Sequence, residues 1–139
     1  MTSFDRIIDS RESNPAFFYD LKSVCKREPA FRDVYEKTVK DFFHDILNSG
    51  YKAAFKNRAF SGVISKSAVL YECESYILIK FRAKCPNKGI SESPRINAAV
   101  VFQNMQIIPL TIYTHGDDNS TPKIYDLQKL LIEVERNML

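Results

Sequence analysis

Cationic side chains alternate along one stretch of the sequence that otherwise has the composition of a buried strand. Lys80, Arg82 and Lys84 are each separated by one residue, and Phe81 and Ala83 stand between them. Because alternate side chains of a strand share a face, the three cations should lie on one side of a sheet. Arginine and lysine on such a face can bind phosphate and neutralise negative charge that develops during phosphoryl chemistry.

Two neighbouring stretches add groups that could complete such a site. Arg95 opens the apolar run "RINAAVVFQ", and Tyr113 and His115 lie at the end of the run "QIIPLTIYTH". Arg95 would supply a further phosphate contact, and Tyr113 or His115 could transfer a proton. If these faces coincide, they form one shallow cationic patch. The wet face of any antiparallel sheet shows the same pattern, so the charges alone leave both interpretations open.

The period-two patterns that carry these residues predict a sheet of four strands. They cover residues 68–73, 76–83, 95–103 and 106–115. Branched and aromatic side chains dominate these stretches, and the short turns after residues 73 and 103 favour antiparallel hairpins. We therefore expect an antiparallel meander.

Helical periodicity dominates both ends of the sequence. Apolar residues recur at a spacing close to 3.6 in residues 31–47 and 125–139, a shorter helix is predicted for residues 15–26, and a further helical turn is predicted from residue 51. This order predicts an α+β fold in two layers, with N-terminal helices and a C-terminal helix packed on a four-stranded, mostly antiparallel sheet.

Composition and cysteine usage set limits on the class of protein. A chain of 139 residues with 45% hydrophobic and 27% charged residues is typical of one globular domain covering residues 1–139. The formal charge of +3 permits a polyanionic partner without requiring one. Three dispersed cysteines, no signal-peptide pattern and no run of eighteen apolar residues predict a cytoplasmic protein that does not enter the membrane. No zinc, calcium, P-loop or dinucleotide motif is present, so neither a metal nor a cofactor is expected.

The order of elements and several short motifs resemble the RelE/ParE toxin superfamily. The motifs are "LYEC", "ILIKFRAK", "SPRINAAVVF" and "IIPLTIYTHG", within about residues 53–131. In that family helices precede a strand with a basic signature, a strand that opens on arginine, and a strand that ends in an aromatic residue or histidine. The resemblance implies a RelE-like core at residues 53–139 and a helical N-terminal extension at residues 1–52.

The resemblance also implies a function and a set of site residues. RelE-like members are toxins of type II toxin–antitoxin systems that cleave mRNA without a metal, because the RNA supplies its own 2′-hydroxyl nucleophile. The implied partners are a cognate antitoxin and mRNA, either free or on the ribosome. The residues carried over are Lys80, Arg82 and Lys84 for RNA binding and Arg95, His115 and Tyr113 for catalysis.

An alternative on the same fold remains open. ParE-like members poison DNA gyrase and need no catalytic face, so placement in the superfamily does not decide whether the chain is an enzyme. A non-enzymatic protein that binds protein or nucleic acid would use the same cations.

Overall fold

A four-stranded antiparallel sheet forms the centre of the fold, in a computed structural model that describes residues 6–86, 88, 92–114 and 122–139. The strands are β1 (Ile64–Glu72), β2 (Tyr76–Ala83), β3 (Arg95–Val101) and β4 (Gln106–Tyr113), arranged in the order β1-β2-β3-β4. The predicted meander is confirmed. β1 begins earlier than predicted, at Ile64 rather than at residue 68, because bulges keep its first residues paired with β2.

Helices flank the sheet in sequence, as predicted. They are α1 (Pro15–Arg27), α2 (Phe31–Asp33), a π-helical stretch (Val34–Val39), α3 (Lys40–Ser49), α4 (Tyr51–Phe55), a 3₁₀ turn (Arg58–Phe60) and α5 (Ile124–Asn137). The predicted helix at residues 31–47 is thus continuous from residue 31 to residue 49, with a π-helical centre. It ends at Gly50, whose φ of 92° suits glycine. Among the described residues, no helix is long and apolar enough to cross a membrane.

The N-terminal helices cover one face of the sheet, called here the helical face. Ile77, Ile79 and Phe81 of β2 point into it, and none of them is more than 1% exposed. The ring centroid of Phe81 lies 5.0 Å from that of Phe42 and 5.7 Å from that of Phe43. The helices and the sheet therefore share one aromatic core, and the apolar register predicted for β2 is confirmed.

The C-terminal helix α5 packs on the opposite face, so the fold has three layers and the predicted two-layer arrangement was wrong. Its apolar side meets Leu78 of β2 and apolar residues of β3 and β4. Gln128 of α5 also donates a hydrogen bond to the Tyr76 hydroxyl, with an N–O distance of 3.0 Å. The apolar stripe of α5 showed that the helix packs against something, but not on which side of the sheet. Lys80, two residues beyond Leu78 on the same face, is exposed.

A segment before α1 ties the β4 edge to the helices. Ile8 donates a backbone hydrogen bond to Ile107 of β4, and the Ile107 amide donates to Arg6, at 2.9 and 2.7 Å. The buried Asn14 side chain donates to the carbonyls of Ile8 and Pro109, at 2.9 and 2.7 Å. These bonds satisfy polar groups at one edge of the sheet, whereas β1 forms the other edge.

Candidate phosphate-binding site

A pocket of about 400 Å³ lies on the sheet face that α5 covers in part. All four strands contribute to it, and we call it the cationic pocket. Its lining residues are Lys66, Ser67, Ala68, Lys80, Phe81, Arg82, Arg95, Asn97 and Tyr113. Four of the six residues singled out from the sequence are therefore brought together: Lys80, Arg82, Arg95 and Tyr113.

The antiparallel register explains why these residues meet. Arg95 of β3 is paired with Arg82 of β2 on one side and with Tyr113 of β4 on the other. The three side chains form a row across strands spaced about 4.8 Å apart. The next row contains Lys80 and Asn97, which are paired directly. Two rows of polar and cationic side chains thus form the floor of the pocket.

The pair of arginines is unfavourable for the sheet taken by itself. Arg82 and Arg95 are directly opposite each other, and like charges in that position are destabilising. None of the described residues that line the pocket is acidic. Two guanidinium groups side by side present several hydrogen-bond donors in a geometry that suits a phosphate or another oxyanion.

The cations differ in how firmly they are held. Arg82 and Arg95 are half-buried and interact with other groups of the protein, and the Nη1 atom of Arg95 is fully buried. Lys80 and Lys66 are exposed, and across residues 6–86, 88, 92–114 and 122–139 neither forms an ion pair. The arginines therefore supply fixed donors, and the lysines supply adjustable charges at the rim.

Asn97 is a site residue that the sequence prediction did not include. Its side chain is only 2% exposed, and its Nδ2 donates to Thr111 Oγ1 at 2.8 Å. Asn97 lies two residues after Arg95 in β3, so period-two alternation was a sufficient signal to place both on one face. The bond to Thr111 fixes a polar group in the pocket floor.

Lys66 is a second residue that the sequence prediction missed. It lies in a β-bulge and adopts a left-handed backbone conformation, with φ of 55°. The surrounding sequence "ISKSAVL" contains no glycine or other local signal of a bulge at this position. Strict alternation therefore could not place its side chain.

Two predicted site residues are not placed in the pocket. Lys84 is exposed and follows the last residue of β2, and its side chain is not part of the pocket lining. Its backbone amide donates to Val63 at 2.9 Å, which ties this segment to the start of β1. His115 lies outside the described residues, so its role as an acid or base stays a prediction.

Buried titratable groups elsewhere are held in their protonated forms. Burial raises the pKa of the Cys85 thiol to about 11 and also raises that of Cys25. Burial, reinforced by the neighbouring carboxylate of Asp9, raises the pKa of Tyr35 well above its usual value. Thiols with raised pKa are poor nucleophiles at neutral pH, so both cysteines are structural. The described residues contain no group of three His, Cys, Asp or Glu side chains placed to hold a metal ion.

No protein-family model, curated protein or solved structure matches the chain. The resemblance to the RelE/ParE superfamily therefore stays a prediction based on sequence motifs, while the α+β architecture and the cationic pocket are features of the structure itself.

Proposed function

We propose that the protein binds the phosphodiester backbone of RNA in the cationic pocket and cleaves it there, as a RelE-like toxin. The observation that carries this proposal is the convergence of Lys66, Lys80, Arg82 and Arg95 in one pocket, with no acidic side chain among its described lining residues. A cluster of four cationic side chains, with no acidic residue among the described lining residues, favours a polyanion over a neutral ligand.

The chemistry that fits these residues is internal cleavage of RNA. The 2′-hydroxyl attacks the adjacent phosphorus, the bond from phosphorus to the 5′ oxygen breaks, and a 2′,3′-cyclic phosphate and a 5′-hydroxyl result. Negative charge grows on the phosphoryl oxygens, where Arg82 and Arg95 would stabilise it. One group must accept the 2′-hydroxyl proton, and another must protonate the leaving oxygen. Tyr113, which lines the pocket, and His115, two residues later in the sequence, are the proposed proton-transfer residues.

The proposed partners follow from the same charge. An antitoxin that covers the cationic pocket would inhibit the protein by occupying the phosphate site, and an acidic segment would suit this purpose best. The proposed substrate is mRNA, free or on the ribosome, and the proposed location is the cytoplasm.

A non-enzymatic binding role is the second candidate. Apart from the lysines and arginines, Tyr113 is the only described lining residue of a type that acts as a general acid or base in enzymes. Binding of nucleic acid or of a protein such as gyrase requires the cations alone.

Cleavage of a defined RNA by the purified protein separates the two candidates. We expect Arg95→Ala to lower the rate about 10²- to 10³-fold and His115→Gln to lower it roughly 10²- to 10⁴-fold. The control is Lys22→Ala, which removes an exposed cation of α1. Thermal unfolding of each variant would verify that it is folded. Full activity in both site variants would reject the catalytic assignment, and RNA binding without cleavage by the wild type would favour the binding role.

Induced expression in a bacterial host tests the toxin assignment. Growth and mRNA integrity should decline together if the protein cleaves mRNA. Growth arrest with intact mRNA would indicate another target, such as gyrase. Normal growth with an abundant, folded protein would contradict toxicity.

A further inference from the structure

We propose that Lys66 is a second phosphate-binding point, so that the cationic pocket takes a single RNA strand through at least two consecutive phosphates. This inference rests on the proposed RNA binding and extends it to the length and path of the ligand. Lys66 lies on the edge strand β1, and its proposed binding role follows from the geometry of the bulge in that strand.

The β1 bulge directs Lys66 into the pocket. Ser65 is paired with Arg82 and Ala68 with Lys80, so Lys66 and Ser67 together lie opposite the single residue Phe81. In a regular ladder one residue would face Phe81 and share its side of the sheet. That side is the aromatic core of the helical face. The extra residue of the bulge instead allows Lys66 to line the cationic pocket on the opposite side.

The backbone of Lys66 adopts a conformation that is unfavourable for a lysine residue. Its φ of 55° lies in a region that glycine and asparagine tolerate better than lysine does. Strained conformations of this kind are concentrated at functional sites. Lys66 is exposed, and no ion pair within the described part of the chain fixes its ammonium group, so the charge is available to a ligand.

The number and spread of the cations exceed what one phosphodiester needs. Each phosphodiester carries a single negative charge, whereas Lys66 and Lys80, which form no ion pair with any other described residue, already contribute two positive charges beside the two arginines. The pocket extends from β1 to β4, which at about 4.8 Å per strand corresponds to roughly 14 Å between the outer backbones. Arg82 and Arg95 can share one phosphate from adjacent strands. Lys66 then lies at the edge strand, where the next phosphate of a strand crossing the sheet would pass.

The test compares a ligand of several phosphates with a ligand of one. The first probe is 2′-O-methyl hexauridylate, which lacks the nucleophile and cannot be cleaved internally, and the second is uridine 3′-monophosphate. Binding is measured for the wild type, Lys66→Gly, Lys66→Asn and the control Lys22→Ala over a range of salt concentrations. Glycine and asparagine both tolerate the backbone conformation, so the two variants remove the cation without adding strain.

We expect both Lys66 variants to bind the hexanucleotide about 5- to 10-fold more weakly, with a salt dependence lower by about 0.7 in log–log slope, as for one lost contact with a single strand. Their affinity for the monophosphate should change less than about twofold, and Lys22→Ala should match the wild type with both probes. Unchanged hexanucleotide binding in the Lys66 variants would overturn the inference while leaving RNA binding intact. An equal loss for both probes would also overturn it. Absence of hexanucleotide binding by the wild type would overturn the proposed function itself.

Discussion

The two faces of the sheet separate residues that are adjacent in sequence into opposite roles. Phe81 is 1% exposed and its ring packs among the aromatic rings of the helical face, whereas the side chain of the next residue, Arg82, lies on the face that forms the cationic pocket. Alternation of side chains along a strand makes this separation possible within one element. Stability and ligand binding should therefore be separable by single substitutions in β2.

The two edges of the sheet differ as well. At the β4 edge, backbone hydrogen bonds join Ile107 to Arg6 and Ile8, so part of that edge is paired within the chain. The β1 edge instead contains two register shifts and the exposed Lys66. Bulges and charged residues are devices that oppose pairing with a further strand. We therefore interpret the β1 edge as one wall of a ligand pocket, and not as a surface for strand addition.

The largest expected effect on stability comes from a substitution in the core of the helical face. Phe81→Ala should lower the free energy of unfolding by about 3–5 kcal/mol, because it leaves a cavity between Phe42 and Phe43 in a closed core. Urea unfolding monitored by circular dichroism would measure the change. A loss below about 1 kcal/mol would mean that this face is not the core on which the stability of the fold depends.

A smaller loss of stability should appear at alkaline pH, because Cys85 is buried in the core of the helical face. The folded-state pKa of Cys85 is raised from 9.0 to about 11, so the unfolded chain loses its thiol proton first as pH rises. The stabilisation is fully present below pH 9 and is lost as the pH rises from about 9 to about 11. The raised pKa of Tyr35 adds a decline in the same direction above pH 10.0.

Cys85→Ala isolates this contribution. The variant should be less stable at neutral pH through lost packing, but its unfolding free energy should fall less steeply between pH 9 and pH 11 than that of the wild type. Chemical denaturation at several pH values would measure both slopes. Identical slopes would show that the Cys85 thiol does not contribute to the pH dependence.

The sequence pattern was most informative where periodicity and hairpin turns act together. The bounds of β2 were predicted correctly, because branched and aromatic residues dominate from Tyr76 to Ala83 and alternate with charged residues in its second half. The short turn after residue 103 predicted that β4 pairs with β3, and the pairing of β3 with β2 brings Arg95 and Tyr113 beside Arg82. The sequence alone was therefore sufficient to group four of the residues that line the cationic pocket.

Sequence periodicity could not predict which surface a helix packs against or where a strand departs from regular alternation. The apolar stripe of α5 was recognised, but its position on the face opposite the N-terminal helices depends on the complementary surface of Leu78 and its neighbours. Lys66 was missed because the β1 bulge moves its side chain to the other face of the sheet, and no residue type near it in the sequence indicates a bulge. Lys84 follows the alternation of β2, but the strand ends at Ala83, so alternation no longer places its side chain in the pocket.

The smallest effect on stability, combined with a clear effect on binding, is expected at Lys80. The residue is exposed, forms no ion pair within the described ranges, and lies one position from Phe81 on the opposite face. Lys80→Ala should change the free energy of unfolding by no more than about 0.5 kcal/mol, because surface substitutions away from caps and networks have effects of this size. The same substitution should weaken binding of 2′-O-methyl hexauridylate and lower its log–log salt slope by about 0.7.

Paired urea titrations and fluorescence anisotropy on this variant and on Phe81→Ala would compare the faces directly. Destabilisation of the fold by several kcal/mol in Lys80→Ala would contradict the assignment of stability to the helical face. Unchanged RNA binding and salt dependence would contradict the assignment of ligand binding to the opposite face.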